Sequence, residues 1–236
     1  MEIIPVIDLR DAAVVRARLG RRDEYLPIQT RLSSTSDPVD VARGLLSVHP
    51  FRTLYVADLD AIEGKRDNHA SLARLKSAFP DLAFWVDNGI LDLGAARTWL
   101  ASRLGHLVLG SETQVDDTLV REMAHEERIV LSLDFRGDAF QGPPELLANP
   151  RAWPRRIIAM TLARVGSGAG PDMEKLAALR LVAPDRRLYA AGGVRDLADI
   201  ERLARANIAG ALVASALHDG RLTAGDIARI VKRELR

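Results

Sequence analysis

One stretch of this chain occurs twice. Residues Val86–Leu93 read VDNGILDL, and Ala190–Leu197, which begin 104 positions later, read AAGGVRDL. In both copies an apolar run enters a glycine-containing turn that is followed by an Asp-Leu pair. The same shift lays Val108–Ser111 (VLGS) on Leu212–Ser215 (LVAS). Two successive segments are therefore related by one shift, which predicts a duplicated structural unit.

A second shift relates the beginnings of the two halves. Ile7–Arg10 (IDLR) matches Leu133–Arg136 (LDFR) after 126 positions, so the first predicted strand corresponds to the fifth. The two shifts differ by 22 residues, which we assign mainly to a longer first loop over residues 10–37. Beyond Arg10 this loop holds five Arg and the cluster Ser33–Ser36, and it is predicted to be a mobile lid.

Short apolar runs alternate with longer stretches of helical period along the whole chain. The runs predicted as strands are Glu2–Asp8, Arg52–Asp58, Leu82–Asp87, His106–Gly110, Arg128–Asp134, Arg156–Thr161, Leu188–Ala191 and Gly210–Ala214. The stretches predicted as helices are Pro38–Val48, Asn68–Ala78, Leu93–Arg103, Asp116–His125, Met173–Val182, Leu197–Ala206 and Thr223–Glu234. A weaker helix, broken by prolines, is expected around Pro144–Ala152.

This order of elements predicts an α/β fold. Parallel neighbouring strands need crossover connections, so strands that alternate with helices indicate a parallel sheet. In 236 residues, eight such units close most economically into a single (β/α)8 TIM barrel. An open doubly wound parallel sheet is the alternative. The duplication favours a barrel of two half-barrels, in one domain over residues 1–236.

Composition narrows the classes of partner. Lys plus Arg number 33 and Asp plus Glu 32, so we expect a small-molecule ligand rather than nucleic acid or a membrane. The absence of Cys excludes disulfides and thiolate metal sites, and the five His have no metal-ligand spacing. Neither a signal peptide nor a membrane span is apparent, which predicts a cytoplasmic protein. The oligomeric state is left open.

Two acidic residues end corresponding strands of the two halves. Asp8 and Asp134 lie at the carboxyl ends of strands 1 and 5, where the active sites of such barrels lie. Strands 1 and 5 face each other across the barrel, so the two carboxyl groups are predicted to act as a general acid and a general base. The alternative is that they pair with neighbours such as Arg10 or Arg136, or cap helices.

The loops after strands 7 and 8 are predicted to bind a phosphate. Gly192 and Gly193 follow strand 7, and Ala214 and Ser215 follow strand 8. These two loops commonly form a phosphate site in barrels of this kind, where unpaired backbone N–H groups favour an anion. Glycine is needed there for the close approach of the backbone to the phosphate oxygens.

The corresponding site in the first half is altered. Gly89, Gly110 and Ser111 are present, but Asn88 stands in the place of Gly192 and follows Asp87. A carboxylate repels a phosphate, so Asp87 is expected to hydrogen-bond a hydroxyl or an amine instead.

The segment after strand 6, residues 166–172, reads GSGAGPD. It lacks the Gly-Lys-Ser/Thr ending of a P-loop. Gly166 and Ser167 are candidates to cover the substrate or contact its phosphate, and a plain connecting loop is the alternative.

Several of these stretches together resemble the HisA/HisF family of histidine biosynthesis, most closely the HisA side. The similar stretches are Ile4–Arg10 (IPVIDLR), Val56–Asp60 (VADLD) with Gly64, Leu131–Asp134 (LSLD), Gly192–Asp196 (GGVRD) and Val213–Leu217 (VASAL). The resemblance implies an aldose-to-ketose Amadori rearrangement of phosphoribosylformimino-AICAR, which has a phosphate at each end, without a metal or organic cofactor. It also implies that Asp8 is the general base, that Asp134 is the general acid, and that Thr161 assists.

The chain departs from the family pattern in two places. The first-half phosphate loop of HisA reads GGGIR, whereas residues 86–91 read VDNGIL and lack two glycines and the arginine. In strand 6 an ungapped alignment places Met160, and not Thr161, at the position of the catalytic threonine. We therefore expect a divergent paralogue whose phosphorylated substrate carries one phosphate.

An isomerase acting on a sugar-type or carbonyl metabolite is the first functional hypothesis. A lyase or condensing enzyme of a cofactor pathway and a non-catalytic phosphometabolite-binding protein are the alternatives. The residues expected to contact the substrate are Arg10, Asp58, Asp87, Arg164, Gly166 and Ser167.

Overall fold

The computed structural model describes the backbone of residues 1–234 and the side chains of residues 1–230. Within residues 1–234, eight parallel strands close into a barrel. Numbered in chain order, barrel strands 1–8 are Glu2–Arg10, Thr53–Asp58, Ala83–Asp87, His106–Gly110, Ile129–Arg136, Arg156–Thr161, Arg187–Ala191 and Gly210–Val213. Strand 1 pairs with strand 2 through Val6 and Tyr55 and with strand 8 through Ile4 and Leu212. This closure confirms the predicted barrel and excludes the open sheet.

Helices connect successive strands, and the bounds of the seven clearly predicted helices are met within two residues, whereas the short helices Leu59–Ile62 and Ser215–His218 were not predicted. The α-helices are Pro38–Val48, Leu59–Ile62, His69–Ala78, Leu93–Ser102, Thr118–Met123, Pro144–Ala148, Met173–Val182, Leu197–Arg205, Ser215–His218 and Ala224–Glu234. The expected proline-broken helix is a short α-helix followed by a 3-10 turn at Pro150–Ala152. No helix within the described residues is long and apolar enough to cross a membrane.

The period-two alternation of the strands separates two apolar layers. Side chains that point into the barrel form an inner cluster: Ile4, Tyr55, Trp85, Val108, Val130, Ile158, Tyr189 and Leu212. Their strand neighbours point outward and pack against the helices: Ile3, Val56, Val86, Leu107, Leu131, Ile157, Leu188 and Ala211. A residue's place in this alternation therefore decides whether it can reach the interior of the barrel.

The duplication is visible in the hydrogen-bonded register. After strand 1 the chain folds back as an antiparallel strand, Ala13–Arg16, that pairs Asp8 with Val15. After strand 5 it does the same over Ala139–Gln141 and pairs Asp134 with Gln141. Both pairs follow the 126-residue shift, so the two Asp residues occupy the same place in the two halves.

The long first loop lies over the carboxyl end of the barrel. It contains the strand Ala13–Arg16, a 3-10 turn at Arg22–Glu24 and a short strand at Leu26–Pro27. The Leu19 N–H donates to the Val165 carbonyl at 2.7 Å, which ties this loop to the one after strand 6. The mobility of the lid stays a prediction, whereas its position over the mouth is seen directly.

Candidate active site

A cleft opens at the carboxyl end of the barrel and holds about 950 Å³ of space, its mouth included. The predicted site residues that line it are Asp8, Asp87, Asp134, Gly166, Gly192, Gly193, Ala214 and Ser215. The loops predicted to surround a ligand therefore meet at one cleft.

Three carboxyl groups from strands 1, 3 and 5 face this cleft. Desolvation by burial raises the pKa of Asp8 to about 7, and the Arg22 guanidinium partly opposes this shift. Burial raises the pKa of Asp134 to about 7 and that of Asp87 to about 8, with the Asp134 charge adding to the effect on Asp87. Groups that titrate near pH 7 are suited to proton transfer.

Hydrogen bonds fix the carboxyl group of Asp134 in place. The Ser132 hydroxyl donates to its Oδ1 at 2.7 Å. The Ser111 hydroxyl lies 3.1 Å from its Oδ2, and the Glu112 N–H donates to the same oxygen at 3.3 Å. These donors favour the ionised form, so they moderate the increase in the pKa of Asp134 that burial causes.

The loops after strands 7 and 8 line one end of the cleft. Gly192 and Gly193 have φ of +101° and +85°, and a Cβ at Gly193 would lie 2.3 Å from the Gly170 carbonyl oxygen. Only glycine fits this backbone. The Ser215 hydroxyl lines the cleft and makes no hydrogen bond within residues 1–230. Arg221 lines the same end and pairs with Asp219 at 3.1 Å, so its charge is partly balanced within the protein.

The first-half counterpart of this site is closed. Ser111 is 0% exposed, and its hydroxyl also lies 2.7 Å from the Gln141 carbonyl oxygen. The Gln114 amide bridges the two loops by donating to the Ile90 carbonyl at 3.1 Å. The predicted first-half phosphate residues, Gly89, Gly110 and Ser111, therefore lie behind the cleft wall and do not line it.

Met160, and not Thr161, faces the cleft from strand 6. In the sheet Met160 is level with Asp134, which points inward, and Thr161 is level with Phe135, which belongs to the outer layer. Thr161 is 3% exposed and does not line the cleft. The predicted assisting role of Thr161 therefore has no geometric support, because the strand turns this side chain away from Asp8 and Asp134.

Two further predicted substrate contacts are used within the protein. Arg10 lies outside the cleft, donates to the Arg22 carbonyl and pairs with Glu63. Asp58 is 1% exposed and accepts from the Asn68 N–H at 2.8 Å and from its side-chain amide at 2.7 Å. Both therefore stabilise loops instead of reaching the ligand space.

Of the predicted substrate contacts in the loop after strand 6, one lines the cleft and two do not. Gly166 lines the cleft, but Arg164 donates to the carbonyls of Gly170 and Pro171, each at 3.1 Å. The Ser167 hydroxyl donates to the Arg164 carbonyl at 2.8 Å. Arg164 and Ser167 shape this loop, and neither lines the cleft.

Within residues 1–230, five polar residues that line the cleft were not predicted from the sequence: Arg22, Tyr25, Tyr55, Glu112 and Arg221. Arg22 extends from the first loop and pairs with Glu112 after strand 4. The first loop holds five Arg beyond Arg10, but its sequence does not indicate which of them reaches the cleft. Tyr55 was detectable only from its inward place in strand 2, two residues before Ala57.

Comparison with known proteins agrees with this architecture. A sequence model of the family described as histidine biosynthesis protein matches residues 2–223. The chain belongs to this family. This match confirms the family resemblance that the sequence showed, and it extends over nearly the whole barrel.

Relatives cover almost the full length of the chain. One from Rhodospirillum rubrum is 30% identical over 94% of this chain and 95% of its own. One from Myxococcus xanthus is 30% identical over 97% of this chain and 98% of its own. Both are named isomerases of an imidazole-4-carboxamide that carries two phosphoribosyl groups. A relative from Methanocaldococcus jannaschii, described as uncharacterized, is 28% identical over 96% and 97%.

Proposed function

We propose that this protein is an isomerase that converts an aldose-type phosphorylated substrate into the ketose form by acid–base catalysis. The supporting observation is the placement of Asp8 and Asp134. They occupy the same position in the two halves of the barrel, face one cleft from strands 1 and 5, and each have a pKa of about 7. The names of the relatives support the same reaction class.

The proposed chemistry needs one acid and one base on opposite sides of the substrate. Asp134 in its protonated form donates a proton to the ring oxygen as the sugar ring opens. Asp8 in its ionised form removes the proton from carbon 2. The proton held by Asp8 then returns to carbon 1, while the hydroxyl on carbon 2 gives its proton to the ionised Asp134 and becomes the ketone, so that atoms, electrons and both carboxyl groups are restored.

The second-half loops are proposed to hold the substrate phosphate. Gly192 and Gly193 allow the backbone to approach the phosphate oxygens, Ser215 offers a hydroxyl, and Arg221 offers a charge. Fixing one end of the substrate in this way places its reacting carbons between the two carboxyl groups.

Turnover of the histidine-pathway ribotide and of its singly phosphorylated analogue tests this proposal. We expect isomerisation by the native protein and a loss of at least about 100-fold in kcat for Asp8→Asn and for Asp134→Asn. Asp138→Asn is the matched control, because Asp138 lies on the same face, is fully exposed and does not line the cleft.

Failure to isomerise either compound, with phosphate binding intact, would contradict the catalytic proposal. That result would favour a non-catalytic protein that binds a phosphorylated metabolite, because the fold alone does not determine function.

A further inference from the structure

We propose that the first-half end of the cleft binds a hydrogen-bond donor of the substrate, a hydroxyl or amino group, and not a second phosphate, with Asp87 as the residue that determines this specificity. The proposal rests on the proposed function, because it assumes that the phosphate occupies the opposite end. It names the substrate class as monophosphates that carry a donor group at the far end.

The two ends of the cleft differ although they derive from the same repeat. Ser215 presents a free hydroxyl to the cleft, whereas its counterpart Ser111 is fully buried against Asp134 and Gln141. The Gly89 N–H, the counterpart of the Gly193 N–H, donates to Asp87 Oδ1 at 3.3 Å. The groups that would bind an anion at this end are therefore already used by the protein.

Asp87 accepts the hydrogen bond of the Gly89 N–H at this end of the cleft. Its side chain is 7% exposed and faces the cleft. Gly110 makes this possible, because a Cβ there would lie 2.9 Å from Asp87 Oδ2 and 3.6 Å from Asp134 Oδ2. No residue from 1 to 230 donates a hydrogen bond to Asp87 Oδ2, so this oxygen is available to a ligand.

A second polar group at this end also lacks a partner. Tyr55 is 3% exposed, lines the cleft, and makes no hydrogen bond through its hydroxyl within residues 1–230. Burial, followed by the nearby charges of Asp87 and Asp134, raises the pKa of Tyr55 well above its ordinary value. This hydroxyl is accessible from the cleft, so it is available to form a hydrogen bond with a ligand there.

The local charges disfavour a phosphate here. Asp87, Asp134 and Glu112 line the same region, and Arg22, the nearby cation, is paired with Glu112. A phosphate would bring up to two further negative charges next to these carboxyl groups. A hydroxyl or an ammonium group would instead donate to Asp87 Oδ2 and leave the Tyr55 hydroxyl free to complete the site.

Calorimetric titration with two compounds that differ only at this end tests the inference. Ribulose 5-phosphate ends in a hydroxyl at carbon 1, and ribulose 1,5-bisphosphate carries a second phosphate there. We expect the native protein to bind the monophosphate more tightly. At pH 9, above the pKa of about 8 of Asp87, the ratio of the two dissociation constants in Asp87→Gly should move toward the bisphosphate by at least about 10-fold, because the carboxylate that repels it is gone.

Two control variants test whether misfolding or a general change of charge could explain a shift in the ratio. Asp87→Asn keeps the size of the side chain and should move the ratio in the same direction by a smaller factor. Asp138→Asn removes one charge from the same face and should leave the ratio unchanged.

The outcomes separate this inference from the proposed function. Binding of the monophosphate with an unchanged ratio in Asp87→Gly and Asp87→Asn would overturn the inference alone. Tighter binding of the bisphosphate by the native protein would do the same. Binding of neither compound would overturn the proposed phosphate site, and the inference with it.

Discussion

Asp134 has a neighbour that sets its acidity. The Ser132 hydroxyl donates to Asp134 Oδ1 at 2.7 Å and lowers the pKa of that carboxyl, against the larger increase that burial causes. If Asp8 acts ionised and Asp134 protonated, kcat/KM follows a bell centred near pH 7. In Ser132→Ala the pKa of Asp134 rises, so the alkaline limb of this bell should move up by about 0.5–1 pH unit.

The acid limb of the same profile is the internal control, because it reports Asp8, which Ser132 does not contact. A downward shift of the alkaline limb, or equal shifts of both limbs, would contradict the assignment of Asp134 as the acid.

Single residues were predictable where a repeat fixed their place. Asp8 and Asp134 follow from their common position at strand ends, and Gly192 and Gly193 from the turn they make. Thr161 shows where prediction from the sequence failed. A shift of one residue along a strand moves a side chain to the other face, and only the register shows that Met160 takes the inward place.

At the scale of elements, the tip of the first loop is held over the cleft by the ion pair between Arg22 and Glu112 and by the backbone bond from Leu19 to Val165, while Arg16 pairs with Asp219 nearer the base of the loop. Glu112→Gln removes the charge but leaves the sequence of the loop unchanged. We expect faster tryptic cleavage at the loop arginines and a KM raised about 3- to 10-fold, since a charged hydrogen bond contributes about 1.5–3 kcal/mol at most.

Glu122→Gln is the control for this prediction, because Glu122 is exposed on the helix Thr118–Met123. Equal cleavage rates in the native protein and in Glu112→Gln would show that the ion pair does not restrain the loop.

Elements with local signals were predicted well, and those that depend on tertiary pairing were not. Asp92 and Asp196 precede two of the predicted helices and cap them by accepting from the Ala95 and Asp199 N–H groups at 2.9 and 3.2 Å. The strand Ala13–Arg16 inside the first loop has no comparable signal. It forms because strand 1 continues past the barrel and offers it an edge.

For the whole molecule, the duplication explains both the fold and its asymmetry. The two halves share strands, hairpins and caps, so they close one barrel with one cleft, whose two ends derive from the same repeat but differ in their side chains. Sequence comparison of the halves located the difference at Asp87 and Asn88. It did not show that Ser111 is drawn inward by Asp134 and Gln141, because that contact joins different strands.

Three buried carboxyl groups at one mouth also affect the stability of the whole barrel. Burial raises the pKa of Asp87 to about 8, so between its ordinary value and pH 8 the folded state holds a proton that the unfolded chain has lost. The free energy of unfolding therefore falls as pH rises through this range.

Asp87→Asn removes that contribution. Its gain in stability over the native protein should be larger at pH 9 than at pH 5 by more than about 1.4 kcal/mol, the equivalent of one pKa unit. Urea denaturation at both pH values measures this, with Asp138→Asn as control. A difference between Asp87→Asn and native protein that does not change with pH would mean that Asp87 is ionised in the fold throughout, which the desolvated wall of the cleft argues against.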